Sequence, residues 1–189
     1  MKNMGFIEII VGPMFAGKSE EILRRIRRLD YAKKKYLVFK PEIDDRYNKN
    51  KIVSHIKNEA NAISIKKANE ILNFLNDKID VVVVDEVQFF DEKIIDICEF
   101  LANNGKRVIV SGLDLDFRGE AFKITSILLC KAEKITKLTA ICMQCGEQAT
   151  RTQRIINNKI AKYNDPIVCI GAKEKYEPRC RRCHIVVKK

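Results

Sequence analysis

The chain has 189 residues, 46% of them hydrophobic, which suits one main domain with at most a small appendage and excludes a disordered chain. Its longest aliphatic stretch, residues 79–84, is interrupted by Asp80 and falls far short of the roughly 20 apolar residues of a membrane helix. The N-terminus leads straight into a predicted strand without a signal-peptide core, and seven cysteines, an odd number, favour a reducing cytoplasm over a complete disulfide framework. The net charge of +11 is compatible with an anionic substrate, a nucleic acid or simply a lysine-rich surface, and no aromatic stacking pattern accompanies the basic residues.

Residues 6–11 form a short apolar run that predicts a buried parallel strand, ended by the turn signal Gly12-Pro13. A helix is predicted from about Ser19, with Ile22, Leu23, Ile26 and Leu29 on one face. Residues 36–40 predict a second strand stopped by Pro41, and the polar stretch 44–51 a loop. Ile71, Leu72 and Leu75 have helical spacing, and the β-branched run 79–84 predicts a strand. A helix over 91–103 ended by Gly105, a strand over 106–111, a glycine-punctuated loop over 112–119, a helix over 122–131 and a strand over 135–138 follow. This alternation predicts an α/β fold with a mostly parallel sheet covered by helices on both faces. From about Thr139 the periodicity weakens and two Cys-x-x-Cys pairs take over. The expected organisation is therefore a nucleotide-binding domain over 1–139 and a zinc-binding domain over 140–189.

The segment Gly12-Pro13-Met14-Phe15-Ala16-Gly17-Lys18-Ser19 fits the phosphate-binding pattern G-x-x-x-x-G-K-[ST], with a strand before it and a helix after it. Glycines let successive N–H groups face phosphates, and the helix N-terminus adds a favourable dipole. Lys18 then suits the β- and γ-phosphates of ATP, and Ser19 suits magnesium. The predicted strand over 79–84 runs into Asp85 and Glu86, at the strand end that faces the ligand crevice in such sheets. Asp85 fits the magnesium carboxylate, and Glu86 fits a general base. A solvated acidic pair capping the next loop is the alternative.

Cys142-x-x-Cys145 and Cys180-x-x-Cys183 suit a tetrahedral structural zinc, although the stretch between the pairs is long for a zinc ribbon. Free thiols or a redox pair are the alternative. His184, beside the last cysteine, is a possible substitute ligand. Cys98, Cys130 and Cys169 read as buried small hydrophobes, and His55 as a residue without a special role.

From Gly12 to Cys183 these motifs and their order resemble the type II thymidine kinases, especially Pro-Met-Phe inside the phosphate loop. Residues 85–90, Asp-Glu-Val-Gln-Phe-Phe, resemble that family's acidic motif, and residues 112–117, Gly-Leu-Asp-Leu-Asp-Phe, its substrate loop. The resemblance implies a RecA-like core and transfer of the γ-phosphate of ATP to the 5′-hydroxyl of thymidine. It makes Glu86 the catalytic base and sets Gln88, Asp44 and Arg46 beside the phosphates. Phe89, Leu113, Phe117, Phe122 and Tyr176 would wall the nucleoside site, with Met14 and Thr152 near the 5-methyl group. Ile167, Val168, Cys169, Ile170 and Gly171 would form a lasso gripping thymine through backbone groups. The resemblance further implies a homotetramer inhibited by dTTP, with no nucleic-acid or membrane partner. Two departures are present: Ala16 where many members carry serine, and Ile170-Gly171-Ala172 where some carry a double glycine. The competing readings are a nucleic-acid-dependent ATPase, in which Glu86 would activate water, and a structural zinc protein with a vestigial nucleotide site.

Overall fold

A computed structural model describes residues 4–42, 51–53, 59–167 and 174–187. Its centre is a six-stranded sheet built from β1 (Phe6–Val11), β2 (Tyr36–Pro41), β5 (Ile63–Ile65), β6 (Val81–Val84), β7 (Arg107–Gly112) and β8 (Lys134–Lys137). The spatial order is β5-β2-β6-β7-β1-β8, and every pairing is parallel. Two short strands, β3 (Lys51–Val53) and β4 (Glu59–Asn61), form a separate antiparallel pair.

The continuous apolar runs of β1 and β6 follow from burial on both faces. Ile9, Val11, Val82 and Val84 point into one apolar cluster with α2 (Lys93–Asn103) and α3 (Lys123–Lys131). Ile10, Val81 and Val83 point the other way, against Ile22, Leu23, Ile26 and Leu29 of α1 (Lys18–Tyr31). Helices thus cover both faces, as the sequence predicts.

Two local expectations shift. The segment around Ile71 is a 3₁₀ helix, Ala68–Phe74, whose buried residues Ala68 and Ile71 repeat at three rather than 3.6. Leu72 is largely exposed. The strand predicted over 79–84 begins only at Val81: a turn over 77–78 brings the Ile79 N–H to the Asn76 carbonyl at 3.2 Å, and the Asp80 carboxylate accepts the Lys35 N–H at 2.9 Å. The three-residue edge strand β5 carries too little sequence pattern to be expected.

After Leu138 the chain leaves the parallel sheet. Strands β9 (Ala140–Ile141) and β10 (Gln148–Ala149) pair antiparallel around the first cysteine pair. Strand β11 (Arg151–Ile156) lies between β12 (Lys159–Ile160) and β13 (Glu174–Arg179), both antiparallel to it. The apolar core here is small: Ala140, Cys142, Ala149 and Cys180, with Ala16 and Cys183 against it. No helix among the described residues is long and apolar enough to cross a membrane.

Candidate active site

Strand β1 delivers the chain to Gly12, where a Cβ would lie 2.5 Å from the Leu138 carbonyl oxygen, so only glycine fits this approach. At the far end Gly17 takes a left-handed conformation, φ 84°, as the cap of α1. Between them the loop wraps its own lysine: the buried Lys18 amine donates to the carbonyls of Gly12 at 3.2 Å and Pro13 at 2.8 Å. Ser19 is half-buried in the first turn of α1. The Met14 N–H donates to Thr152 Oγ1 of β11 at 3.0 Å and ties the loop to the small antiparallel sheet.

Asp85 stands at the end of β6, where buried carboxyl-end residues of a parallel sheet gather. Its Oδ1 accepts the Ser111 hydroxyl at 2.5 Å and the Glu86 N–H at 2.9 Å. Burial, with the neighbouring Glu86 charge second, pushes the Asp85 carboxyl up to about 7, against the pull of Ser111, the Glu86 N–H and Lys18. Oxygen donors of this kind suit magnesium, and a cation beside Asp85 would stabilise its charged form. Glu86 is half-buried and left-handed, φ 50° and ψ 43°. Such a conformation in a residue with a Cβ is strained and concentrates at functional sites. Gln88, in the 3₁₀ turn Val87–Phe89, donates from Nε2 to Glu86 Oε2 at 2.5 Å and accepts the Leu113 N–H at 3.0 Å.

A cleft opens next to this acidic turn. Met14, Phe89, Leu113, Phe117, Phe122, Thr152, Ile167 and Tyr176 all line it, so residues scattered over much of the sequence converge. Phe89 and Phe122 meet edge to face, with ring centres 6.3 Å apart. Two further lining residues, Leu115 and Asp116, escaped the sequence reading, although both lie inside the motif over 112–117. Asp116 builds the loop: it pairs with Arg118 at 2.7 Å and accepts the N–H groups of Arg118 and Glu120. Asp44, Arg46, His55, Val168, Cys169, Ile170 and Gly171 lie outside the described residues.

The four cysteines come together as their spacing predicts. The Sγ atoms of Cys142, Cys145, Cys180 and Cys183 all lie within 4.8 Å of one another. Tetrahedral zinc with bonds of about 2.3 Å sets sulfurs roughly 3.8 Å apart, so the cluster fits that ion with little adjustment. His184 is turned elsewhere: its Nε2 meets the Phe117 carbonyl oxygen at 2.8 Å. Of the remaining cysteines, Cys98 is buried and its thiol is pushed up to about 12 by burial. Cys130 is exposed, contrary to the sequence expectation, because α3 buries the face carrying Ile124, Thr125 and Leu128.

A Pif1 helicase from Candida albicans superposes with a TM-score of 0.45 at 13% identity, over 76% of this chain and 38% of that one. That similarity is too remote to carry function. The family model described as thymidine kinase matches residues 5–184. The match spans the phosphate loop, the acidic turn, the aromatic cleft and the cysteine cluster, and the chain belongs to the thymidine kinase family.

Proposed function

We propose that this chain transfers the γ-phosphate of ATP to the 5′-hydroxyl of thymidine, giving dTMP and ADP. The observation that carries the reading is a shared residue. Met14 belongs to the phosphate loop, yet its side chain lines the aromatic cleft and its N–H is held by Thr152 of that cleft. A nucleotide on the loop and a nucleoside in the cleft would therefore lie side by side, which is what a direct transfer requires.

In this reading the backbone N–H groups over 12–19 cradle the phosphates, and Lys18 leaves its carbonyl partners for the β- and γ-phosphates. Ser19 and Asp85 would hold magnesium, which when bound neutralises charge on the phosphate oxygens. Glu86 accepts the proton of the 5′-hydroxyl as that oxygen bonds to the γ-phosphorus. The bond to the bridging oxygen breaks and ADP leaves. Asp44 and Arg46 are assigned to the phosphates, and residues 167–171 to the thymine edge, on the family resemblance. The division into domains 1–139 and 140–189, a cytoplasmic location, a homotetramer and feedback inhibition by dTTP complete the proposal. Four thiolates around zinc leave no open coordination position, so the metal's part is structural.

The test is phosphate transfer from ATP across thymidine, deoxyuridine, deoxycytidine and deoxyguanosine, with ATP turnover also measured on single-stranded DNA and RNA. Thymidine-dependent formation of dTMP is the expected result. Turnover that needs nucleic acid and ignores thymidine would replace the proposal with the ATPase reading.

A further inference from the structure

The geometry points to Gln88 as a positioning residue that locks the proposed base to the wall of the nucleoside cleft, rather than as a phosphate contact. The inference rests on the reading of Glu86 as base.

Gln88 is buried at the turn following β6, and both ends of its amide are engaged inside the protein. The orientation of that amide follows from its partners. The Leu113 N–H can only donate, so it requires the amide oxygen at 3.0 Å. The amide nitrogen must then face Glu86, whose carboxylate accepts from it at 2.5 Å. A flipped amide would set donor against donor and acceptor against acceptor. The space is made to fit as well. A Cβ on Gly112 would lie 2.5 Å from Gln88 Oε1, so glycine precedes Leu113 where the amide comes closest.

Two consequences follow. The hydrogen bond from the Gln88 amide restrains a Glu86 carboxylate carried on a strained, left-handed backbone. The same side chain also fixes the backbone of Leu113, which lines the cleft. One residue thereby aligns the base with the hydroxyl it must deprotonate, and a misplacement of about 1 Å in such a pair costs on the order of 100-fold in rate. A phosphate contact would leave a different signature, in ATP affinity.

Two variants separate these roles. Gln88→Met keeps the length and loses both hydrogen bonds. Gln88→Glu keeps an acceptor for Leu113 and sets a negative charge against Glu86. For Gln88→Met we expect kcat to fall about 10- to 100-fold, the KM for thymidine to rise several-fold, and ATP affinity by calorimetry to stay within about twofold. For Gln88→Glu, kcat should fall at least as far while the thymidine KM stays near that of the parent enzyme. Retained ATP binding also certifies that each variant is folded. If Gln88 acts through Glu86, adding Gln88→Met to Glu86→Gln should lower kcat by less than about threefold further, because the losses are not independent. Weakened ATP binding with an unchanged thymidine KM, or fully multiplicative losses in the double variant, would overturn the inference. Undiminished turnover in Glu86→Gln alone would instead overturn the base reading, and the two failures are distinct.

Discussion

The parallel sheet buries Ile9, Ile10, Val82, Val83 and Ile109, whereas the central antiparallel strands after Ala140 bury Thr152, Gln153, Arg154 and Glu177. In the first region stability comes from apolar surface packed between layers of helices. The second is too small to do the same, and its apolar cluster consists of two alanines and two cysteines with little around them. Its buried polar residues are instead each tied to a named partner. Thr152 holds the Met14 N–H, and Gln153 exchanges two hydrogen bonds with Ile185, at 3.1 and 2.9 Å. Arg154 is fully buried, donates to the Pro166 carbonyl and stacks over the Phe117 ring at 5.2 Å. Glu177 pairs with Lys175 and Arg179. A region assembled from directed bonds can hold one wall of the aromatic cleft, through Thr152 and Tyr176, but it depends on each bond and on the cysteine cluster at its base.

The sharpest way to break this division of labour is at the acidic turn. Glu86→Gln should lower kcat by roughly 100- to 10,000-fold while ATP and thymidine still bind, as measured by steady-state rates alongside calorimetry. Near-normal turnover would move the base elsewhere. For the apolar region, Ile109→Ala should cost about 2–5 kcal/mol of global stability in denaturant titration and leave zinc content unchanged. A loss under about 1 kcal/mol would mean that the sheet core is looser than its burial implies. For the polar region, Gln153→Leu should cost about 1–3 kcal/mol, felt locally as faster amide exchange around Ile185. An unaltered exchange pattern would show that the two bonds to the tail contribute little.

The smallest effect concerns α1. Its Glu21 carboxyl is held down to about 2, by the Arg24 hydrogen bond first and by Arg25 as well, with burial opposing. Because the folded pKa lies below the ordinary value near 4.3, the contribution is present above that pH and disappears as pH falls toward 2. Solvent screening keeps it under about 1 kcal/mol. Glu21→Gln should therefore narrow the gap in melting temperature between pH 5 and pH 2 only slightly; a large narrowing would mean that this partly buried network contributes more than an ordinary ion pair on a helix surface.

The same contrast explains what the sequence could reveal. Strand β1, helix α1 and the phosphate loop were legible because continuous apolar runs, helical spacing and two glycines each have one physical cause. The cysteine cluster was legible from its spacing. Strand β11 was not, since Arg-Thr-Gln-Arg reads as surface until Met14, Ile185, Pro166 and Phe117 are brought to it by the fold. The cleft was accessible only through family resemblance, because Phe89, Phe122 and Tyr176 carry no local signal that they meet. The link from Gln88 to Leu113 joins two motifs that each stood out alone, and only the structure joins them.

Binding of ATP and of thymidine, measured by calorimetry on the parent protein and on the Cys180→Ser/Cys183→Ser variant, tests the division between the two regions most directly. Loss of the thiolate cluster should release the strands after Ala140, weaken thymidine at least tenfold and expose residues 146–179 to protease, because metal binding is coupled to folding. ATP affinity should fall far less, by no more than about threefold, since Lys18 is held by the Gly12 and Pro13 carbonyls and Asp85 by Ser111 of the parallel sheet, while the phosphate loop meets the cysteine region through Met14 and Ala16. Equal loss of both ligands, or thymidine binding that survives without the cluster, would contradict the account.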